Sequence, residues 1–363
     1  MNIRHLILPI AALLLTIGCG KQVATPEVDS SHKFRFSADQ LTKIEYDGLK
    51  STFEDDDVVG CVIAQKASDG SFTYLCNSKW HYKGGYLILD AVMPNTSTTY
   101  DETGETQAAN TIIRRYNAGS EDGFLELKNQ EIDYSFFFYH PYVDSNNASS
   151  TLTGAVAEAD GWVWPAHYTP WTQWPVAVGI EHKDEASLEM DDILWVNYTV
   201  DYSDASKNIN YETATYTVPL EFKKKTATVE VQADTDISDV YFQGTSYIIR
   251  GKYLNLQDGT YSDIDYVSWA TDITNKCQED DPFYPYAYDT QNYRIMFPPQ
   301  SGMDWNLHFV LNDTEYTVEL EGDIPALEED KLYIIHITKG GECTLEIVDW
   351  ERGTYGQLIE ITD

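Results

Sequence analysis

The sequence predicts an all-β protein of two tandem β-sandwich domains behind an N-terminal export signal. Three observations carry that reading. Apolar, β-branched and aromatic residues alternate with polar ones along most of the chain, and no run of useful length beyond residue 33 has helical spacing. Turn pairs separate the alternating runs, at Asp69-Gly70, Gly84-Gly85, Asp258-Gly259 and Gly340-Gly341. The length, 363 residues, suits two sandwiches with cores of their own.

The first segment is an address. Arg4 and His5 precede an apolar run from Leu6 to Ile17, too short to span a bilayer as a mature helix. "LTIGC" follows, and a small residue before cysteine at that place resembles a bacterial lipobox. The resemblance implies removal of residues 1–18 as a signal peptide and acylation (palmitate among the acyl chains) at Cys19. Residues 19–33 then read as a lipidated tether, polar and interrupted by Pro26. Membrane contact is expected through the lipid alone.

Residues 34–205 are assigned to the first domain and 206–363 to the second, divided in the polar stretch "SDASKNINYE" (203–212). Strands are expected in the first at "FTYLC" (72–76), "GYLILDAV" (85–92), "IDYSFFFY" (132–139) and "ILWVNYTVDY" (193–202). In the second they are expected at 213–222, 226–233, 245–254, 293–297, 306–312, 315–321, 331–338 and 343–350. In "TVEVQ" (228–232) Val229 and Val231 face one way and Glu230 and Gln232 the other, which predicts one core face and one wet face. "FFF" (136–138) breaks the alternation and predicts a strand buried on both faces. The one short helix candidate is "PALEED" (325–330).

Composition narrows function. The chain is 42% hydrophobic and 13% aromatic, unlike disordered chains. A formal charge of -35 argues against nucleic acid as a partner. No nucleophile elbow, zinc-protease helix or phosphate loop is present, so neither an enzyme nor a cofactor is expected. Acid pairs such as Asp191-Asp192 and Glu328-Glu329 are expected from composition alone. "EDDD" (54–57) reads as a solvated turn, because it lacks the ligand spacing of a calcium loop, and no metal is expected. His140, His167 and His182 are too scattered to read as ligands. Cys61 and Cys76 flank the turn "ASDGS", as a disulfide across a hairpin or as two buried thiols. "GWVWPAHYTPWTQWP" (161–175) holds four of the nine tryptophans. Trp174 is expected inside, whereas Trp162, Trp164, Tyr168 and Trp171 could form an exposed ligand platform.

Several segments, read in order, resemble the fimbrillin family of Bacteroidales, subunits of type V pili. They are "FRFSADQ" (34–40), "FEDDDVVGCVIA" (53–64), "FTYLCNSKWHY" (72–82), "YSFFFYHPYV" (134–143), "DDILWVNYT" (191–199), "VPLEFKKKTATVEVQ" (218–232), "YRIMFPPQ" (293–300) and "LYIIHITKGGECTLEIVDW" (332–350). The resemblance implies two transthyretin-like sandwiches and a surface-exposed lipoprotein of the outer membrane. It further implies a stalk or tip subunit assembled by proteolysis and strand exchange with copies of itself or related subunits, and adhesion to a host or bacterial surface ligand. The first strand would be clipped off after a basic residue, Lys50 ahead of Arg35, which lies inside that strand, and replaced by a neighbour's strand, usually its C-terminal one. Lys50 stands where the family carries arginine, so an uncleaved, acylated anchor subunit is an alternative. A surface glycan-binding lipoprotein using the aromatic residues of 161–175 is the rival from another class.

Overall fold

The computed structural model describes residues 34–38, 53–94, 113–115, 123–127, 133–142, 174–178, 182–184, 187–188, 191–200, 216–244, 251–262, 282–301, 305–320, 326–349 and 355–360. Cys19, Lys50, Trp162, Trp164, His167, Tyr168 and Trp171 lie outside the described residues, as does the polar stretch 203–212.

The first half contributes β1 (Phe34–Ser37), β2 (Val58–Lys66), β3 (Phe72–Lys83), β4 (Tyr86–Pro94), β5 (Ile113–Arg115), β6 (Leu125–Leu127), β7 (Asp133–His140), β8 (Trp174–Ala177) and β9 (Leu194–Thr199). Next come β10 (Tyr216–Pro219) and β11 (Lys223–Lys224). All but β8 join one sheet in the order β11-β9-β7-β2-β3-β4-β1-β6-β5, with β10 paired to β1. β1 and β7 stand four ladder steps apart in that order, yet Phe36 meets Phe136 with ring centroids 5.1 Å apart. The sheet therefore curls over its own core. Irregularities at Ile63/Ala64 and Lys79/Trp80 supply local bending of the long strands β2, β3 and β4.

The second half contributes β12 (Ala227–Ala233), β13 (Ile237–Gly244), β14 (Gly251–Leu254), β15 (Tyr261–Ser262), β16 (Pro282–Phe283), β17 (Tyr286–Ala287), β18 (Asn292–Phe297) and β19 (Gln300–Ser301). It continues with β20 (Trp305–Leu311), β21 (Thr314–Glu319), β22 (Ala326–Leu327), β23 (Lys331–Ile337), β24 (Cys343–Asp349) and β25 (Tyr355–Glu360). A six-stranded sheet, β17-β18-β12-β23-β24-β25, and a four-stranded sheet, β16-β13-β20-β21, share one apolar core. Val229, Val231, Ile295, Phe297, Tyr333 and Ile335 enter it from the first sheet, and Phe242, Trp305, Leu307 and Phe309 from the second.

Two sequence expectations, on "PALEED" and on Glu230, are corrected. β10 and β11, which follow residue 205, pair with β1 and β9 of the first sheet. In the other direction, β14 leaves the second half to pair with β8, giving a three-stranded sheet β15-β14-β8. "PALEED" forms β22 and a turn, not a helix. Glu230 is fully buried, because β18 sets Arg294 opposite it and the two side chains form an ion pair.

The reading of "FFF" holds, with its cause now visible. Phe136 and Phe138 point into the core beneath β1, while Phe137 and Tyr139 point to the opposite face. That second face is covered by Trp174, Val176, Leu254 and Leu256 of the small sheet and its margin. Trp174 is 2% exposed and packs on Tyr139 at 5.0 Å.

Gly60 makes this packing possible. It pairs with Tyr139, and a Cβ at Gly60 would lie 2.1 Å from the ring's Cζ. Tyr139 is 2% exposed and donates to Asn77 Oδ1 at 3.0 Å, so it has little freedom to yield. Gly60→Ala is expected to cost about 1–3 kcal/mol by overpacking, read as a lower denaturation midpoint at unchanged slope.

Candidate functional site

The site is the slot that holds β1. Sequence dictates the strand's two faces: in "FRFSA" Phe34, Phe36 and Ala38 alternate with Arg35 and Ser37. The three inward residues are 0%, 0% and 3% exposed. Phe36 is the centre of an aromatic cluster, with ring centroids 4.8 Å from Phe138, 5.7 Å from Trp80 and 6.0 Å from Tyr198. Edge-to-face geometry of this kind adds about 0.5–1.5 kcal/mol per pair beyond burial.

Both edges of this four-residue strand are occupied. β10 runs parallel to it from Phe34↔Tyr216 to Ser37↔Pro219. On the other side β4 pairs at Phe36↔Leu87 and Ser37↔Tyr86, and β6 at Phe34↔Leu125. Two bonds close its C-terminal end: Ala38 N–H donates to the Gly85 carbonyl at 3.1 Å, and Leu220 N–H to that of Ser37 at 2.8 Å. Removing β1 would leave unpaired backbone on both flanks above an apolar trough, which is a template for another extended chain.

Arg35 points away from the core into a clamp. Its Nε donates to Thr217 Oγ1 at 3.1 Å and its Nη2 to Tyr86 Oη at 2.8 Å. The guanidinium lies 3.5 Å above the Tyr86 ring and 4.7 Å from that of Phe124. Arg35 therefore sits in a strand paired on both edges, with its side chain engaged. Tyr86, Phe124 and Thr217 were missed by sequence reasoning; they lie far apart in the chain, and pairing alone brings them together.

Cys61 and Cys76 are buried thiols and not a disulfide. The register explains why: Cys61 stands opposite Ser78 and Cys76 opposite Ile63, so the two are diagonal neighbours. Diagonal Cβ atoms are farther apart than the roughly 4 Å a disulfide needs. Burial pushes both thiols well above the usual range. Neither is expected to react with a thiol reagent at neutral pH in the folded chain, and both are expected to react promptly in denaturant, read by mass spectrometry of labelled peptides.

The acidic residues raised by the sequence are used in structure. Asp191 accepts from His182 Nε2 at 2.5 Å, and His182 Nδ1 lies 3.0 Å from the Tyr284 carbonyl. Asp192 pairs with Lys224 and Glu329 with Lys225. Burial pushes the Lys224 ammonium down, and Asp192 opposes that shift. In the turn "EDDD" Asp57 Oδ2 accepts from Glu54 N–H at 2.7 Å, and Asp55 Oδ1 ties the turn to the β3–β4 connection by accepting from Gly84 N–H at 2.9 Å. His140 Nδ1 lies 3.0 Å from the Val58 carbonyl. Among the described residues no three His, Cys, Asp or Glu converge as metal ligands.

No family model and no curated protein matches the chain. Among solved structures it is similar to a candidate cell adhesion protein from Bacteroides uniformis, with TM-score 0.49 and 12% identity over 88% of this chain and 97% of that one. A second candidate cell adhesion protein, from Bacteroides ovatus, gives TM-score 0.49 and 14% identity over 91% and 97%. A fimbrial protein from Bacteroides ovatus gives TM-score 0.41 and 14% identity over 86% of this chain and 49% of that one.

Proposed function

We propose that the chain is a fimbrillin-like pilus subunit: a lipoprotein exported to the outer membrane, acylated at Cys19, and assembled with other subunits by exchange of β1. Proteins similar to it in structure carry adhesion and fimbrial names, but the slot carries the reading. β1 and the residue after it supply three inward side chains, at most 3% exposed, to the first core, yet the strand connects onward only through residues 39–52. Cutting that connection, at Lys50, would free β1 to leave while the sheet around it stays built from the rest of the chain. Cleavage makes a stalk or tip subunit; an uncut chain would stay on its lipid as an anchor. No catalytic role or cofactor is assigned. Trp162, Trp164, Tyr168 and Trp171 stand as the proposed platform for a host or bacterial surface ligand.

The test is made on protein recovered from cells. The reading expects this chain inside SDS-resistant high-mass ladders on the cell surface, with Ser51 as its first residue in a stalk or tip and acylated Cys19 in an anchor. Recovery of the chain only as a monomer, with either terminus, would overturn it. For the platform, Trp171→Ala is expected to abolish binding to whichever glycan or surface retains the wild type; retention unchanged in that variant removes the platform.

A further inference from the structure

The slot reads charge as well as shape, an inference that rests on β1 being replaceable. Its two deepest positions, those of Phe34 and Phe36, take large apolar side chains and are fully buried. The outward position between them is the Arg35 clamp, with two hydroxyl oxygens accepting from the guanidinium and two ring faces against it. A cation there is held by hydrogen bonds and by the negative faces of the rings. A carboxylate could turn the hydroxyls toward itself, but the ring faces would repel it.

β25 and the three residues after it can be compared with these demands from sequence alone. Within "YGQLIEITD" (355–363) only Ile359 and Ile361 are large apolar residues two positions apart. Seating them in the two deep positions places Glu360 in the clamp, whichever direction the strand runs. With the strand in the direction of β1, Asp363 also falls on the position of Ala38, which is 3% exposed. We propose that the slot disfavours residues 355–363 of another copy and takes instead a strand from a different subunit, one with Lys or Arg between two large apolar residues. The pairing rule is then written in one charge.

The experiment uses the full chain with the site of a sequence-specific protease in place of Lys50, clipped and then offered labelled peptides. "KFRFSAD" (33–39) is expected to enter by displacing β1. "TYGQLIEITD" (354–363) is expected to bind at least about tenfold more weakly than the same peptide carrying Glu360→Lys, the size of one desolvated cation–π contact. Equal binding of those two peptides, with "KFRFSAD" entering, overturns the charge rule and leaves strand replacement standing. Failure of "KFRFSAD" itself to enter overturns strand replacement, and the charge rule with it.

Discussion

Phe36→Ala is expected to lower stability by about 3–5 kcal/mol, the usual cost of emptying a phenylalanine site in a core. Five rings lose a partner at once, those of Phe34, Trp80, Phe136, Phe138 and Tyr198. The thermal midpoint should fall by on the order of 10 °C. The loss should also be local. Phe36 is the central apolar anchor of this four-residue strand, so amide exchange should quicken in β1 and β10 before the second core opens. Phe242→Ala, in the core of the second half, serves as the control. It should cost a similar amount and leave exchange at β1 unchanged. Equal quickening at β1 in both variants would mean that β1 is held by global stability and not by its own slot.

The second large effect is expected at Glu230 and Arg294, a cross-strand pair with side chains 0% and 3% exposed. Arg294→Ala leaves a buried carboxylate without its cation and is expected to cost about 3–5 kcal/mol. Replacing both, as Glu230→Met with Arg294→Leu, is expected to recover most of that loss, since the desolvation of both charges disappears as well. A double-mutant cycle in denaturant measures it. A double variant as unstable as Arg294→Ala would show that the pair does more than neutralise itself.

How much of this could be read from the amino-acid order differs by the kind of interaction. Strands were legible because their pattern is local: "IDYSFFFY" (132–139) gave β7 and "TATVEVQA" gave β12, each within a residue. The double burial of "FFF" was legible because the run breaks the alternation, although its cover, β8 and β14, comes from segments about 75 residues apart. Anything set by register was not. Whether Cys61 meets Cys76 turns on a shift of two residues across a hairpin. That Glu230 is dry depends on Arg294, 64 residues away. Tyr86 and Thr217 became partners of Arg35 only because β1 is flanked by β4 and β10. The slot itself was expected from family resemblance; the clamp on its outer side was visible in no pattern.

The ladder between β8 and β14 bears on mechanics. Trp174 to Ala177 and Gly251 to Leu254 pair residue for residue, so the two halves are laced by backbone and not merely linked by one strand of chain. Load passing from one half to the other would cross that ladder as well as the single connecting chain, together with the apolar cover it supports over Phe137 and Tyr139. The halves would part only once those four residue pairs had broken.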